Sequence, residues 1–227
     1  MLGAQLNAMS AVLFPMYSRI RSEGRMPMRD ALYKALRLVA LFSLPVGIGL
    51  ALVARDAISI MYGLDGEAAK VATQTMEVLA IAGCFAGLGF ATGDLLFAIG
   101  RPGLMVRINA VMVPVMLTAM WIVAPHGVVW VAVVHLVVAA VFTFVRQVVV
   151  NRVIDADVAP VLSALVPGLI LGACVLAFGL PVRLLTGTGF VPMLMIVAAG
   201  ALGGLVGLAI SRSARAEVVD LIAKVKG

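Results

Sequence analysis

Charge is what this chain has least of. Lys and Arg number 17 and Asp and Glu 11, so 12% of its 227 residues are charged, where soluble domains run near 25%. With 63% hydrophobic residues, a water-soluble fold of this size could not hide its apolar surface, so a bilayer must serve as the solvent. Histidine and cysteine are scarce too, at two each. His126 and His135 stand alone, and no Cys or carboxylate cluster has metal-ligand spacing, so no metal site is read. Cys84 and Cys174 both lie in apolar runs, where a small buried hydrophobe is expected and a disulfide is not. No GxSxG elbow or Walker loop is present, so no catalytic residue, cofactor or direct ATP coupling is assigned and the chain is not expected to be an enzyme. Aromatics make up 6%, and no basic-aromatic surface argues for nucleic acid as a partner. Met1 opens directly onto an apolar run, without the positive region of a cleavable signal.

What the sequence does have is long apolar runs. About 20 helical residues cross a hydrocarbon core of roughly 30 Å. The expected fold is therefore all-α: a polytopic transmembrane helix bundle over residues 1–210, with about seven spans. These fall near 2–17, 36–53, 76–99, 105–123, 128–150, 161–178 and 190–210. The first is marginal in length, and Gln5 and Asn7 make its start polar. Residues 54–73 read as a mixed loop, with turn signals at Tyr62-Gly63 and Asp65-Gly66. Residues 211–227 form an amphipathic tail. Val218, Leu221, Ile222 and Val225 share one face of it, which suits the membrane surface.

The spans carry breaks and gaps. Pro45, Pro114 and Pro167 remove an i→i−4 bond inside three of them and favour a moving, cavity-lined bundle over a passive anchor. Gly83/Gly87, Gly89/Gly93, Gly168/Gly172, Gly200/Gly204 and Gly203/Gly207 are small-xxx-small pairs that let helices approach closely in lipid.

Charge placement sets the orientation. With the basic loop after the first segment inside the cell, 14 of the 17 Lys and Arg lie on the inner side, and only Arg55, Lys70 and Arg183 lie outside. Trp121 and Trp130 then fall at the outer interface, where an aromatic belt would put them. Seven segments leave the N-terminus outside and the C-terminus inside. That is awkward for a complete protein, and the chain is expected to be the C-terminal half of a longer transporter.

Charged groups at the membrane centre cost about 2.5–3.5 kcal/mol on insertion scales, so each intramembrane polar residue is a candidate. Asp94 lies about 10 Å inside the inner edge by helix rise. It is either a cavity-facing acid for cation coupling or a structural carboxylate paired with an inner arginine such as Arg107. His135, on the outer half of its helix, is either an interhelical hydrogen-bond partner or a proton relay. Arg37, Arg101, Arg107 and Arg146 sit at inner helix ends. They either snorkel to the interface or form a phosphate-binding rim suited to the guanidinium fork. Asn109 lines a cavity or bonds between helices.

Three stretches, in order, resemble a known family. Ala11–Gly24, AVLFPMYSRIRSEG, carries a helix end with proline followed by a serine and a basic residue. Leu36–Gly63 is a proline-glycine helix followed by a short amphipathic run ending in Gly. Leu95–Val113, LLFAIGRPGLMVRINAVMV, holds a small-Gly-Arg turn between two helices. Together they resemble the polysaccharide biosynthesis proteins, lipid-linked oligosaccharide flippases of the O-antigen type. These belong to the multidrug/oligosaccharidyl-lipid/polysaccharide exporter superfamily. The resemblance implies one lobe, the eighth to fourteenth helices, of a two-lobed protein in the bacterial inner membrane with a cytoplasmic C-terminus. It implies movement of an undecaprenyl-linked oligosaccharide between leaflets by alternating access. Membrane lipid, that glycolipid, and a missing N-terminal lobe or second copy of the chain would be the partners. After Gly63 the sequence departs from the family: Leu64-Asp65-Gly66-Glu67 stands where a tryptophan and an aliphatic helix start are usual. A drug/cation antiporter lobe of the same superfamily, and a non-transport subunit of a glycan-synthesis complex, are the alternatives.

Overall fold

The computed structural model describes residues 28–211. The expected first segment, 2–17, and all of the expected tail except Ser211 lie outside the described residues. Six helices follow one another: α1 Met28–Tyr62, α2 Gly66–Ala98, α3 Pro102–Val123, α4 Val128–Ile154, α5 Val158–Leu185 and α6 Phe190–Ile210, with a 3₁₀ turn, Ala124–His126, after α3. There are no strands among the described residues. All six helices are long and apolar enough to cross a membrane, so the all-α membrane bundle expected from the sequence is what the chain forms.

The turns follow from local chemistry. Gly63 and Gly66 take φ of 58° and 64° on either side of the α1–α2 turn, a left-handed conformation that costs glycine nothing. α2 ends in a Schellman motif. Gly100 has φ 75°, its N–H donates to Phe97 O at 3.0 Å, and the Arg101 N–H donates to Leu96 O at 2.9 Å. Pro102 then opens α3, where a missing N–H costs no helical bond. Turns this short reverse the chain, so the helices run alternately up and down. One end carries residues 63–65 and 186–189; the other carries 99–101 and 155–157.

α1 is the central element. It packs on α2 and α5 and touches α6; α2 continues the layer to α4, and α5 to α6. α3 leans mainly on α4 and has no buried residue. The largest core cluster lies at the Met28 end, where Leu32, Leu36 and Val39 of α1 meet Leu95 and Leu96 of α2, Val150 of α4 and Val161 of α5. The Tyr62 end is looser, and an apolar cleft of about 910 Å³ opens there between α1 and α2.

Glycines set the close approaches. A Cβ at Gly168 would lie 2.5 Å from the Ala40 carbonyl of α1, and one at Gly203 would lie 2.5 Å from the Cys174 carbonyl of α5. The Gly168/Gly172 and Gly203/Gly207 pairs therefore meet neighbouring helices, whereas Gly204 faces open space.

One expectation is corrected. Residues 54–73 are not a loop: α1 runs to Tyr62, α2 begins at Gly66, and only residues 63–65 connect them. Charged residues there mark the polar ends of long helices, 35 and 33 residues, which at 1.5 Å per residue outreach the hydrocarbon core. Likewise α5 continues past the expected span end at residue 178 to Leu185, so only residues 186–189 separate it from α6.

Candidate functional site

Arg146 is a half-buried cation inside a span-length helix, with defined partners. It lies on α4 eight residues before Ile154, about 12 Å from that helix end by rise. Its Nη2 donates to Asn109 Oδ1 of α3 at 3.0 Å and lies 3.3 Å from Met112 Sδ. Its Nε is buried and has no hydrogen-bond acceptor. Among the described residues no carboxylate lies in ion-pair range of it. Gly89 of α2 makes the room: a Cβ there would stand 2.8 Å from Arg146 Nη1 and 3.2 Å from Thr143 Oγ1. Thr143, one turn earlier on α4, donates to the Phe85 carbonyl of α2 at 2.9 Å and ties the two helices together beside the guanidinium. Three helices thus hold one cation with neutral partners only.

The structure joins Asn109 to Arg146, two residues the sequence singled out separately. It does not bring the other candidates into that contact. Asp94 is half-buried on α2, with Oδ2 closed off from solvent. Arg101 and Arg107 are both exposed. Arg37 is half-buried on α1 with its Nε enclosed. His135 is half-buried on α4 and makes no hydrogen bond among the described residues. Among those residues, no three His, Cys, Asp or Glu side chains converge to hold a metal ion.

A second polar cluster, unforeseen as a unit, sits at the Tyr62 end. Arg183 of α5 donates to the Glu77 carboxylate of α2 and to the Ala51 carbonyl of α1 at 3.1 Å. Asp56 of α1, 2% exposed, accepts the Gly189 N–H at 2.9 Å. Beside these ties lies an open cavity of about 500 Å³ to which Arg55, Lys70 and Arg183 all contribute. They are the three cations that the charge count set apart from the other 14. That separation was the available signal, but the distance of 106 positions along the chain from Glu77 to Arg183 hid the contact.

Residues 2–66 match the family model for polysaccharide biosynthesis protein. The match takes in all of α1 and the turn after it, and covers the first two of the three stretches on which the family resemblance rested. It supports that resemblance to the polysaccharide biosynthesis proteins. No curated protein and no solved structure matches the chain. A membrane role in polysaccharide synthesis fits both the family match and the six span-length helices.

Proposed function

We propose that the chain is one lobe of a transporter that moves a lipid-linked oligosaccharide across the bacterial inner membrane by alternating access, with its C-terminus in the cytoplasm. The observation that carries this reading is Arg146. A cation inside a spanning helix costs a few kcal/mol, and here only the neutral Asn109 and Met112 meet it. A phosphate on a lipid carrier would supply the missing negative charge, and a guanidinium offers it a planar fork of donors. Arg146 is only half-buried, so part of its side chain is open to such a ligand.

In this reading the chain makes and breaks no bonds and acts as a transporter rather than an enzyme. Its partners are membrane lipid, an undecaprenyl-linked oligosaccharide, and a second lobe supplied by a further segment of the reading frame or by a second copy of the chain. Asp94, Arg37, Arg101 and Arg107 remain inner-side candidates for substrate entry or ion coupling, and His135 for coupling.

Complementation tests the proposal. The full reading frame is expressed in a strain lacking its glycan flippase, and surface glycan is measured. Wild type restores glycan, while Arg146→Gln and Asn109→Ala restore less at equal membrane abundance. Full restoration by Arg146→Gln removes the argument for this site. Drug resistance without glycan would instead assign the chain to the antiporters.

A further inference from the structure

The cavity at the Tyr62 end shares no residue with the Arg146 site. Its wall is built, not incidental. Arg183 is pinned by Glu77 and the Ala51 carbonyl, and the following loop, which brings Thr188, is held through Gly189 by the buried Asp56. With those groups engaged on each other, the cavity presents Arg55, Asp65 and Lys70 beside the amide of Gln74 and the hydroxyls of Ser59 and Thr188. Lys70 lies 3.6 Å from Glu67, but both side chains are largely exposed, and such a pair holds a cation only weakly.

The mixture decides the ligand class. A phosphate site is a set of donors, and carboxylates in its wall would repel the anion. Here Asp65 and Glu77 stand among the cations. Gln74, Ser59 and Thr188 each both donate and accept. Closely spaced donors and acceptors match a polyhydroxylated ligand, in which every hydroxyl does both. The volume lies within the roughly 300–1,000 Å³ usual for small-molecule sites.

We propose that this cavity binds a saccharide, with Asp65 accepting from its hydroxyls and Arg55, Lys70 and Gln74 donating to them. The inference rests on the lipid-linked oligosaccharide reading and extends it. The glycan head would dock at the end of the bundle opposite the Arg146 side, on the outer face in the orientation set by charge.

The test uses the full chain purified in detergent and saturation-transfer NMR. Glucose, galactose, N-acetylglucosamine and glucuronate are titrated separately, with inorganic phosphate as competitor. At least one saccharide binds. Arg55→Ala and Gln74→Ala each weaken it about tenfold, as for loss of a hydrogen bond with a charged partner, while Ser163→Ala, on the far end of α5, leaves it unchanged. No binding by any of the four, equal binding by both cavity variants, or displacement by phosphate overturns the proposal. The complementation assay separates the two readings. Saccharide binding without glycan export sinks the transporter reading alone, and Arg146-dependent export without saccharide binding sinks the cavity alone.

Discussion

The Arg183 guanidinium crosses from α5 to the Glu77 carboxylate of α2, and its other terminal nitrogen donates to the Ala51 carbonyl of α1 at 3.1 Å. One side chain thus ties three helices at the Tyr62 end. Arg183→Met would leave Glu77 without its cation and Ala51 O without a donor. The two side chains are 25% and 31% exposed, so the cost of breaking a buried pair is discounted to about 1–2 kcal/mol. Thermal unfolding in micelles should show that loss, and adding Glu77→Met should recover most of it. If the double variant is as unstable as the two single losses added together, the pair is not coupled.

Glycines along α5 and α6 should divide into two kinds. At Gly168 and Gly203 a Cβ would meet a carbonyl of the next helix at 2.5 Å. Backbone cannot swing aside, so Gly168→Ala and Gly203→Ala should each cost about 1–3 kcal/mol through overpacking. Gly204 has nothing within 4 Å of a Cβ. Gly204→Ala should leave the melting temperature unchanged or raise it through helix propensity. Equal melting of all three variants would mean the helices do not pack on these faces.

The spans were legible because an apolar run of about 20 residues in lipid admits only a helix or a closed barrel. The turns were legible too: Gly63, Gly66 and Gly100 take the positive φ that their flanking residues suggested. What misled was charge. Arg55, Asp56, Asp65, Glu67 and Lys70 made residues 54–73 look like a loop, yet nearly all of them sit on helix. There one face reaches water while Asp56 and Thr73 are buried, and a hydropathy run cannot separate a helix that outgrows the bilayer from a loop. The site was legible only in parts. Asn109 and Arg146 each stood out as polar groups in apolar surroundings, but their contact spans 37 residues, and a single sequence has no periodicity that reports it.

Orientation is open to direct measurement. On a background with Cys84 and Cys174 replaced by alanine, Asp65→Cys and Gly103→Cys put one thiol at each end of the bundle. Both positions are exposed. A membrane-impermeant maleimide should label Asp65→Cys in intact cells, and Gly103→Cys only after permeabilisation. That follows because seven of the ten Lys and Arg in residues 28–211 lie toward the Gly103 end, leaving Arg55, Lys70 and Arg183 at the other. The reverse pattern would overturn the charge-based topology and move the proposed saccharide cavity to the cytoplasm.

Gly89→Ala probes the Arg146 site without touching its charge. The added Cβ would stand 2.8 Å from Arg146 Nη1 and 3.2 Å from Thr143 Oγ1. Both are ends of side chains, so the helices can stay in place while the guanidinium moves. Alanine also gains about 0.5–1 kcal/mol over glycine within a helix, so the melting temperature should hold or rise. Glycan export should nevertheless fall, because the guanidinium leaves its seat beside Asn109. Losing one charge-assisted hydrogen bond is worth about tenfold. Arg146→Lys should fall further, since a lysine ammonium keeps the charge but not the planar fork. If Gly89→Ala exports like wild type with its fold intact, the position of the Arg146 guanidinium is not used in transport, and the buried cation serves helix packing alone.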